Sequence, residues 1–307
     1  MTGSLAVHVV LLLVVPPLLP GLINKTKAWF AGRLGPPLLQ PYLDLWKQLR
    51  KGAVYSRTTS WVFRAGPIVS LSTVLCAGLV LPLASNTSPL GFAGDVILFA
   101  YLLGLGRFFT MAAALDTGSS FEAMGASREA AFSAFAEPAF FLSLAIVCVP
   151  ARTVAFEDAF GRLPWATWGF PHPTFLAAVL ALFAVLLAEN SRIPVDDPNT
   201  HLELTMIHEV MVLDHSGPDL AFVLYGSAVK LFVIGALLLH ILLPIPAEGG
   251  WLGVTLLCAG QVGLAVLVGV VESVMARLRL QRVPQLLVGA AVLAGIGLGA
   301  VLYRGAP

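Results

Sequence analysis

The chain has 307 residues, of which 58% are hydrophobic and only 11% are charged, and its mean hydropathy is +0.87. Soluble domains carry about 25% charged residues, so this composition excludes an ordinary soluble enzyme and predicts an integral membrane protein. The net charge of +1 gives no support for nucleic-acid binding, and nucleic acid is not an expected partner. Because the sequence shows no soluble domain, low-complexity tract or internal repeat, we expect a single transmembrane domain over residues 1–307.

Eight apolar segments are each long enough to cross about 30 Å of hydrocarbon as a helix. Their approximate limits are 4–23, 65–84, 95–115, 130–150, 173–189, 219–244, 250–272 and 284–303. The sequence therefore predicts an all-α polytopic membrane protein with about eight transmembrane helices. The first segment lacks a basic stretch before it, and we interpret it as a retained span and not as a cleaved signal peptide.

The basic residues of the loops lie mostly on one side of this topology. Thirteen fall in alternate loops: Lys25, Lys27, Arg33, Lys47, Arg50, Lys51, Arg57, Arg64, Arg128, Arg192, Arg277, Arg279 and Arg282. The loops of the opposite side hold Arg152, Arg162 and Arg304. Since cytoplasmic loops carry the excess of Lys and Arg, we expect both termini to face outward. The chain is then a multi-pass protein of the cell's inner (plasma) membrane.

The loop at 188–217 is unusually acidic for such an apolar chain. Arg192 is its only Lys or Arg, and its six carboxylates belong to Glu189, Asp196, Asp197, Glu203, Glu209 and Asp214. Crowded carboxylates share protons, and their pKa values become sensitive to neighbouring charges. These six residues are therefore candidates for proton relay or coupling.

Further ionisable residues fall within the predicted spans. Arg107, Glu137 and Lys230 lie inside them, while Glu189 and Glu272 lie at cytoplasmic ends. A charge in mid-span costs about 2.5–3.5 kcal/mol on insertion scales, so such residues usually face a polar interior and function there. We add them to the relay candidates. The alternatives are that Glu189 and Glu272 sit at the interface, and that Arg107 snorkels or forms a structural pair.

Two cytoplasmic segments have helical signals. In residues 36–51 (PPLLQPYLDLWKQLRK), apolar positions recur at helical spacing opposite Asp44, Lys47 and Arg50, which predicts an amphipathic helix on the membrane surface. It would anchor on anionic lipid or dock a peripheral subunit. In ASREAAF, 126–132, Ser127 is positioned to cap a helix whose first turn contains Glu129. Gly118 and Gly125 would suit a tight loop before it, or the stretch is a plain connector.

No residue pattern predicts catalysis or a metal site on this chain. Cys76, Cys148 and Cys258 lie singly in apolar segments, which disfavours a disulfide framework or an iron–sulfur cluster. His208 and Glu209 begin HEVMV, which lacks the second histidine of the HExxH motif. We therefore expect no catalytic residue, no metal and no cofactor bound by this chain.

Four segments together resemble one family, subunit 1 of respiratory NADH:quinone oxidoreductase (complex I) and its homologue in membrane-bound [NiFe] hydrogenases. They are GLINKTKAWFAGRLGPPLLQPYLDLWKQLRKG, DTGSSFEAMGASREAAFSAFAEP, ENSRIPVDDPNTHLELTMIHEVMVLDHSG and ESVMARLRLQRVP. GASRE and DDPNTHLELTMIHE resemble the branch of formate hydrogenlyase subunit 4 and group 4 hydrogenases. Quinone-reducing members typically read P-F-D-L-x-E-A-E after the arginine of the third segment, where this chain has IPVDDPNTHLE.

The resemblance implies a non-redox membrane anchor and coupling subunit that links electron transfer in a peripheral arm to proton or sodium translocation. Its partners would be hydrogenase-like large and small subunits, an iron–sulfur subunit, antiporter-like membrane subunits and the lipid bilayer. Those partners would hold the iron–sulfur clusters and the nickel–iron (or quinone) site. The structural and docking residues would be Arg33, Gly35, Pro36, Asp44, Lys47, Arg50, Arg128, Glu129, Arg192, Pro194, Arg277 and Arg279.

Two alternatives remain at this point. One is the quinone-site subunit of an NADH:quinone oxidoreductase, which needs a quinone-sized chamber under the 188–217 loop. The other is a stand-alone secondary transporter. Transporters often contain inverted repeats with matching broken helices, and the sequence shows no such symmetry.

Overall fold

The computed structural model describes residues 2–162, 173–196, 206–246 and 250–305. Within these ranges the chain forms α-helices and two short 3-10 helices and contains no strand, which confirms the all-α prediction. The α-helices are α1 (Thr2–Val14), α2 (Leu18–Phe30), α3 (Gln40–Leu49), α4 (Trp61–Val80), α5 (Asp95–Asp116), α6 (Ser120–Ala151), α7 (Phe156–Gly161), α8 (Pro173–Glu189), α9 (Gly217–Leu242), α10 (Trp251–Val274) and α11 (Val283–Gly305).

Most of the predicted spans appear as long apolar helices. Six helical segments of the described chain are long and apolar enough to cross a membrane: α4, α5, α6, α9, α10 and the segment 280–303 that contains most of α11. The chain direction bends by 46° between α1 and α2, and the two helices add a seventh candidate if they form one bent span. α8 is apolar but has only 17 residues. The chain is a polytopic helical membrane protein, while the eight-span count and the outward termini stay predictions.

Two tyrosines satisfy the backbone where α1 ends. The carbonyl of Leu13 would normally accept a hydrogen bond from the residue four positions later, but Pro17 has no N–H. The Tyr225 hydroxyl donates to the Leu13 carbonyl at 2.8 Å, and the Tyr42 hydroxyl donates to the carbonyl of Val14. The break in the first span is therefore tied to α9 and to the surface helix α3.

Removing these hydroxyls should loosen that connection. We expect Tyr42→Phe and Tyr225→Phe each to lower the free energy of unfolding by about 1 kcal/mol, since each change leaves a carbonyl without its donor. Thermal unfolding of the detergent-purified protein measures this effect. Tyr303→Phe, on an exposed residue of α11, is the control and should unfold with the wild type.

The long helix α6 begins earlier than the sequence signals suggest. It starts at Ser120, so the helix start predicted at Ser127 is wrong, and the Ser127 hydroxyl instead bonds the Met124 carbonyl inside the helix. The predicted tight loop at Gly125 is also wrong. A Cβ at Gly125 would lie 2.4 Å from Val210 and 2.9 Å from the Ile207 carbonyl. Glycine there lets the 206–216 loop pack directly on α6.

The helix α9 passes through the centre of the bundle and packs against α4, α8 and α10. Phe232, Val233 and Leu237 on it are fully buried. The predicted surface helix is present as α3, none of whose residues is buried. Gly35, in the turn before α3, has φ +64°, and a Cβ there would lie 2.4 Å from Ala28. The RLGP turn therefore requires glycine.

Candidate functional site

One arginine at membrane depth holds three carboxylates together. Arg107 lies nine residues before the Asp116 end of α5, about 14 Å along the helix. Its Nη2 lies 2.8 Å from Glu189 Oε1 and its Nη1 lies 2.9 Å from Glu137 Oε1. Its Nε lies 3.7 Å from Glu129 Oε1. The planar fork of a guanidinium suits this arrangement, because its N–H groups point in different directions in one plane.

Lys230 forms one end of these contacts. Its Nζ lies 2.7 Å from Glu189 Oε2, so Glu189 bridges Arg107 and Lys230. One turn further along α9 the side chains of Val233 and Ile234 are at most 1% exposed. The charged side chain of Lys230 is therefore followed directly by buried apolar residues on α9.

His208 extends the contacts into the 206–216 loop. Its Nε2 lies 3.2 Å from Glu129 Oε2, and its Nδ1 lies 3.8 Å from Asp196 Oδ2. Burial disfavours the charged imidazole, but the charge of Glu129 and the contacts with Asp196 and Glu129 outweigh it and raise the pKa of His208 to about 9. His208 therefore carries a proton at neutral pH.

Asp196 anchors the far end of the series. Its Oδ1 lies 2.8 Å from Arg277 Nη2, and its Oδ2 accepts backbone N–H bonds from Ile207 at 3.1 Å and His208 at 3.3 Å. Burial opposes ionisation, but the contacts with His208 and Arg277 hold the pKa of this carboxyl below its usual range. We call the connected set the charged network: Lys230, Glu189, Arg107, Glu137, Glu129, His208, Asp196 and Arg277. With His208 protonated, its four cations balance its four carboxylates.

A second buried group lies where α2, α10 and the loop after α8 meet. The Glu272 carboxylate is fully buried, with Lys27 Nζ at 2.8 Å and Arg192 Nη1 at 3.4 Å. The carboxylate therefore lies in an ion-paired site inside the protein. These contacts join three separate segments of the chain.

The other predicted residues differ in how far they are exposed to solvent. Exposed residues available for docking are Arg33, Gly35, Pro36, Asp44, Lys47, Arg50 and Arg279. Arg128 is half-buried and donates to the Met206 carbonyl at 2.9 Å, and the buried Pro194 accepts from the Leu278 N–H at 2.9 Å. Glu209 is half-buried and Asp214 is exposed. Asp197 and Glu203 lie outside the described residues.

One expectation from the sequence is corrected here. Glu129 lies nine residues into α6, so its assignment to a first helical turn is wrong. It is 5% exposed and belongs to the charged network, so of the structural and docking roles it has the structural one. Asp196 is 2% exposed and belongs to the same network.

Two ionisable residues with partners elsewhere in the fold escape the sequence argument. His208 enters it only as a candidate metal ligand, although it stands between two carboxylates of the charged network. Glu122 is 1% exposed, and its Oε1 accepts the Asp214 N–H at 3.2 Å. No spacing in the sequence signals either role, because their partners are distant along the chain.

Comparisons with known proteins agree with this architecture. A family model described as NADH dehydrogenase matches residues 3–303. Hydrogenase-4 component C of Escherichia coli (strain K12) is 34% identical over 235 residues, which are 76% of this chain and 73% of that one. Formate hydrogenlyase subunit 4 of the same organism is 31% identical over 295 residues, or 91% of this chain and 92% of that one.

A solved structure has the same fold. It is the membrane-bound sulfane sulfur reductase, an archaeal respiratory membrane complex, one chain of which aligns with a TM-score of 0.81. The alignment covers 97% of this chain and 98% of that chain at 21% identity. At that identity the likeness establishes the fold.

Proposed function

The chain belongs to the NADH dehydrogenase family, because that family's model matches residues 3–303. From this membership we propose that it is the membrane anchor and coupling subunit of a complex I-like assembly of the group 4 hydrogenase, formate hydrogenlyase type. The names of its two Escherichia coli relatives, a hydrogenase-4 component and a formate hydrogenlyase subunit, support this branch. The subunit would bind a peripheral arm through its cytoplasmic loops and antiporter-like subunits within the plasma membrane.

The charged network is the observation that carries this proposal. It leads without interruption from Arg277 and Asp196 in the cytoplasmic loops to Lys230 inside α9. Each acidic member contacts a cation at one or both oxygens, so moving a proton at one position changes the electrostatic energy at the next. Burial strengthens these interactions because the local dielectric constant is low.

In this mechanism the chain relays changes in electrostatic interaction and proton affinity, and electron transfer takes place in the peripheral arm. Redox chemistry in the peripheral arm, where iron–sulfur clusters and a nickel–iron or quinone-type site would reside, displaces the 206–216 loop or changes its charge. His208 and Asp196 then alter their hold on Glu129, and Arg107 redistributes its hydrogen bonds among its three carboxylates. Glu189, Lys230 and Glu137 carry the change into the membrane arm as a change in proton affinity.

A charge-balanced double variant tests the proposal. Glu189→Gln with Lys230→Met removes one negative and one positive charge and leaves the Arg107 contacts to Glu129 and Glu137 in place. We expect the complex to assemble and to retain electron transfer to artificial dyes. Ion pumping in sealed vesicles should fall at least about tenfold, because Gln keeps the shape of Glu but does not exchange a proton. Glu157→Gln, an exposed residue of α7, is the control.

Each outcome of that experiment assigns the network a role. Full pumping in the double variant would reduce the Glu189–Lys230 pair to a structural contact and contradict the coupling proposal. Loss of dye-linked activity in an assembled complex would place the pair at the redox site and favour the quinone-site subunit. In a separate measurement, ion transport by the wild-type chain without any partner subunit would favour the stand-alone transporter.

The docking half of the proposal has its own prediction. Lys47 and Arg50 are exposed on α3, and we expect Lys47→Glu with Arg50→Glu to release the peripheral subunits from washed membranes at moderate salt. Reversing two charges turns attraction into repulsion at this surface, and moderate salt then screens the attractive contacts that remain elsewhere. Sedimentation of the peripheral subunits with membranes measures the effect. Arg152→Glu, exposed in a loop of the predicted opposite side, should release nothing, and retention by both variants would contradict this docking surface.

A further inference from the structure

A short turn connects two carboxylates of the charged network. Glu189 is the last residue of α8, and Asp196 follows it by seven positions. Between them Ser191 has a φ of +53°, in the left-handed region that non-glycine residues rarely adopt. Such a backbone conformation persists only where the surrounding contacts hold it. The geometry that relates the two carboxylates therefore depends on what fixes this turn.

Arg192 fixes the turn with both its backbone and its side chain. Its N–H donates to the Leu187 carbonyl of α8 at 2.9 Å. Its own carbonyl accepts from the N–H groups of Val195 at 2.9 Å and Asp196 at 3.2 Å. Its Nη1 lies 3.4 Å from Glu272 Oε1. One residue thus connects the end of α8, the turn that carries Asp196, and the helix α10.

Glu272 gives the turn a rigid point of attachment. Its side chain is fully buried near the end of α10, which packs closely on α2, since a Cβ at Gly269 would lie 2.7 Å from Thr26 Cβ. Arg277, which contacts Asp196 at 2.8 Å, instead lies in the irregular segment after α10. The contact with Glu272 therefore ties the turn to a helix, whereas the contact with Arg277 ties it to a second irregular segment.

The other oxygen of Asp196 faces the 206–216 loop, to which the proposed mechanism assigns movement. Its Oδ2 accepts the N–H groups of Ile207 at 3.1 Å and His208 at 3.3 Å, and it lies 3.8 Å from His208 Nδ1. Held by these contacts alone, Asp196 would follow the loop, and its distance from the imidazole would not change. An anchored Asp196 stays behind, so that a displacement of the loop changes the interaction between the two charges.

We propose that Arg192 is the positioning residue that holds Asp196 against the bundle, through Glu272, while His208 moves with the 206–216 loop. This anchor converts a displacement of the loop into a change in proton affinity at His208. The inference deepens the proposed function and rests on it for the movement of the loop. The positioning itself is measured on the full chain without partner subunits, so its failure and a failure of ion pumping are distinguishable.

Two variants of the same ion-paired site separate positioning from charge. Arg192→Met and Lys27→Met each remove one cation from Glu272 and leave the other beside it, so both proteins should fold. The measurement is the pH titration of the His208 side chain by NMR of ¹³C-histidine-labelled protein in detergent. His208→Gln identifies the signal, because that signal is missing from its spectrum.

The direction of the shift distinguishes the two effects. Burial lowers the pKa of His208, the contacts with Glu129 of α6 and Asp196 raise it, and Lys230 of α9 lowers it. Glu189 of α8 also interacts with this imidazole through its charge. Removing a nearby cation raises the pKa of His208 through space, whereas moving a carboxylate away from the ring lowers it. Loss of charge and loss of positioning therefore have opposite signs.

We expect Arg192→Met to lower the pKa of His208 by about one unit, the lower end of what an opposite charge at close range produces. Lys27→Met should leave it unchanged or raise it. Arg192→Lys keeps a cation beside Glu272 and should restore the wild-type titration. An unchanged or raised pKa in Arg192→Met, or an equal fall in Lys27→Met, would overturn the proposal.

A further variant decides the matter if Arg192→Met does not fold. Glu272→Asp keeps the charge but withdraws the carboxylate from Arg192 by one methylene group, so the pKa of His208 should fall here too. A wild-type titration in Glu272→Asp would show that Arg192 does not hold Asp196 through this contact.

Discussion

Replacing Arg107 by Met should cause the largest loss of folded protein of any single change in the charged network. The substitution leaves Glu129, Glu137 and Glu189 without their shared cation, and Glu129 and Glu189 are both less than a tenth exposed. Breaking a buried pair by removing one partner costs about 3–5 kcal/mol, because the remaining charge is buried without compensation. We expect little monodisperse protein after detergent extraction and a clear fall in Tm.

A second variant separates charge balance from packing. Arg107→Met with Glu137→Gln removes one charge of each sign and leaves the Glu189–Lys230 and Glu129–His208 contacts intact, so it should recover much of the yield. Arg57→Met changes an exposed arginine and should remain within about 0.5 kcal/mol of the wild type. Equal Tm values for the Arg107 and Arg57 variants would mean that Arg107 is not the electrostatic centre of the network.

The sequence predicts the helical fold class and most of the ionisable residues of the site. It does not predict how those residues contact one another. Charge in an apolar span is visible in the sequence because insertion is costly, and this argument finds Arg107, Glu137, Glu189 and Lys230. Their contacts are not predictable in the same way. Arg107 and Glu189 are far apart in the chain, and only the packing of α5 and of α8 on α6 brings Arg107 Nη2 to 2.8 Å from Glu189 Oε1.

Local signals mislead where tertiary packing decides. Ser127 followed by Glu129 has the pattern of a helix start, yet α6 continues through both residues because nothing in the preceding stretch interrupts the helix and the 206–216 loop packs on it at Gly125. Glu129 consequently turns into the bundle. His208 has no local signal at all, since its role depends on Glu129 from α6 and Asp196 from the preceding loop.

The protonation of His208 should make the stability of the protein fall in alkaline solution. The histidine in the unfolded chain has a pKa near 6.5, and the fold raises it to about 9. A raised pKa means that the folded state binds the proton more tightly. The stabilisation is therefore fully present below pH 6.5 and is lost progressively as the pH rises through about 9. Its size is a few kcal/mol, since one pKa unit corresponds to about 1.4 kcal/mol.

Thermal unfolding of the purified protein between pH 6 and pH 10 measures this effect. The wild type should lose Tm over that range, whereas His208→Gln should start lower and change less, because Gln does not titrate. The titration of Asp196 lies outside this pH range. Its pKa is lowered in the fold, so its contribution to stability is present above the unfolded value near 3.8 and is lost only in acid. Identical pH profiles for the two proteins would show that His208 is neutral in the fold, and the charge balance of the network would then require one of its carboxyls to hold the proton instead.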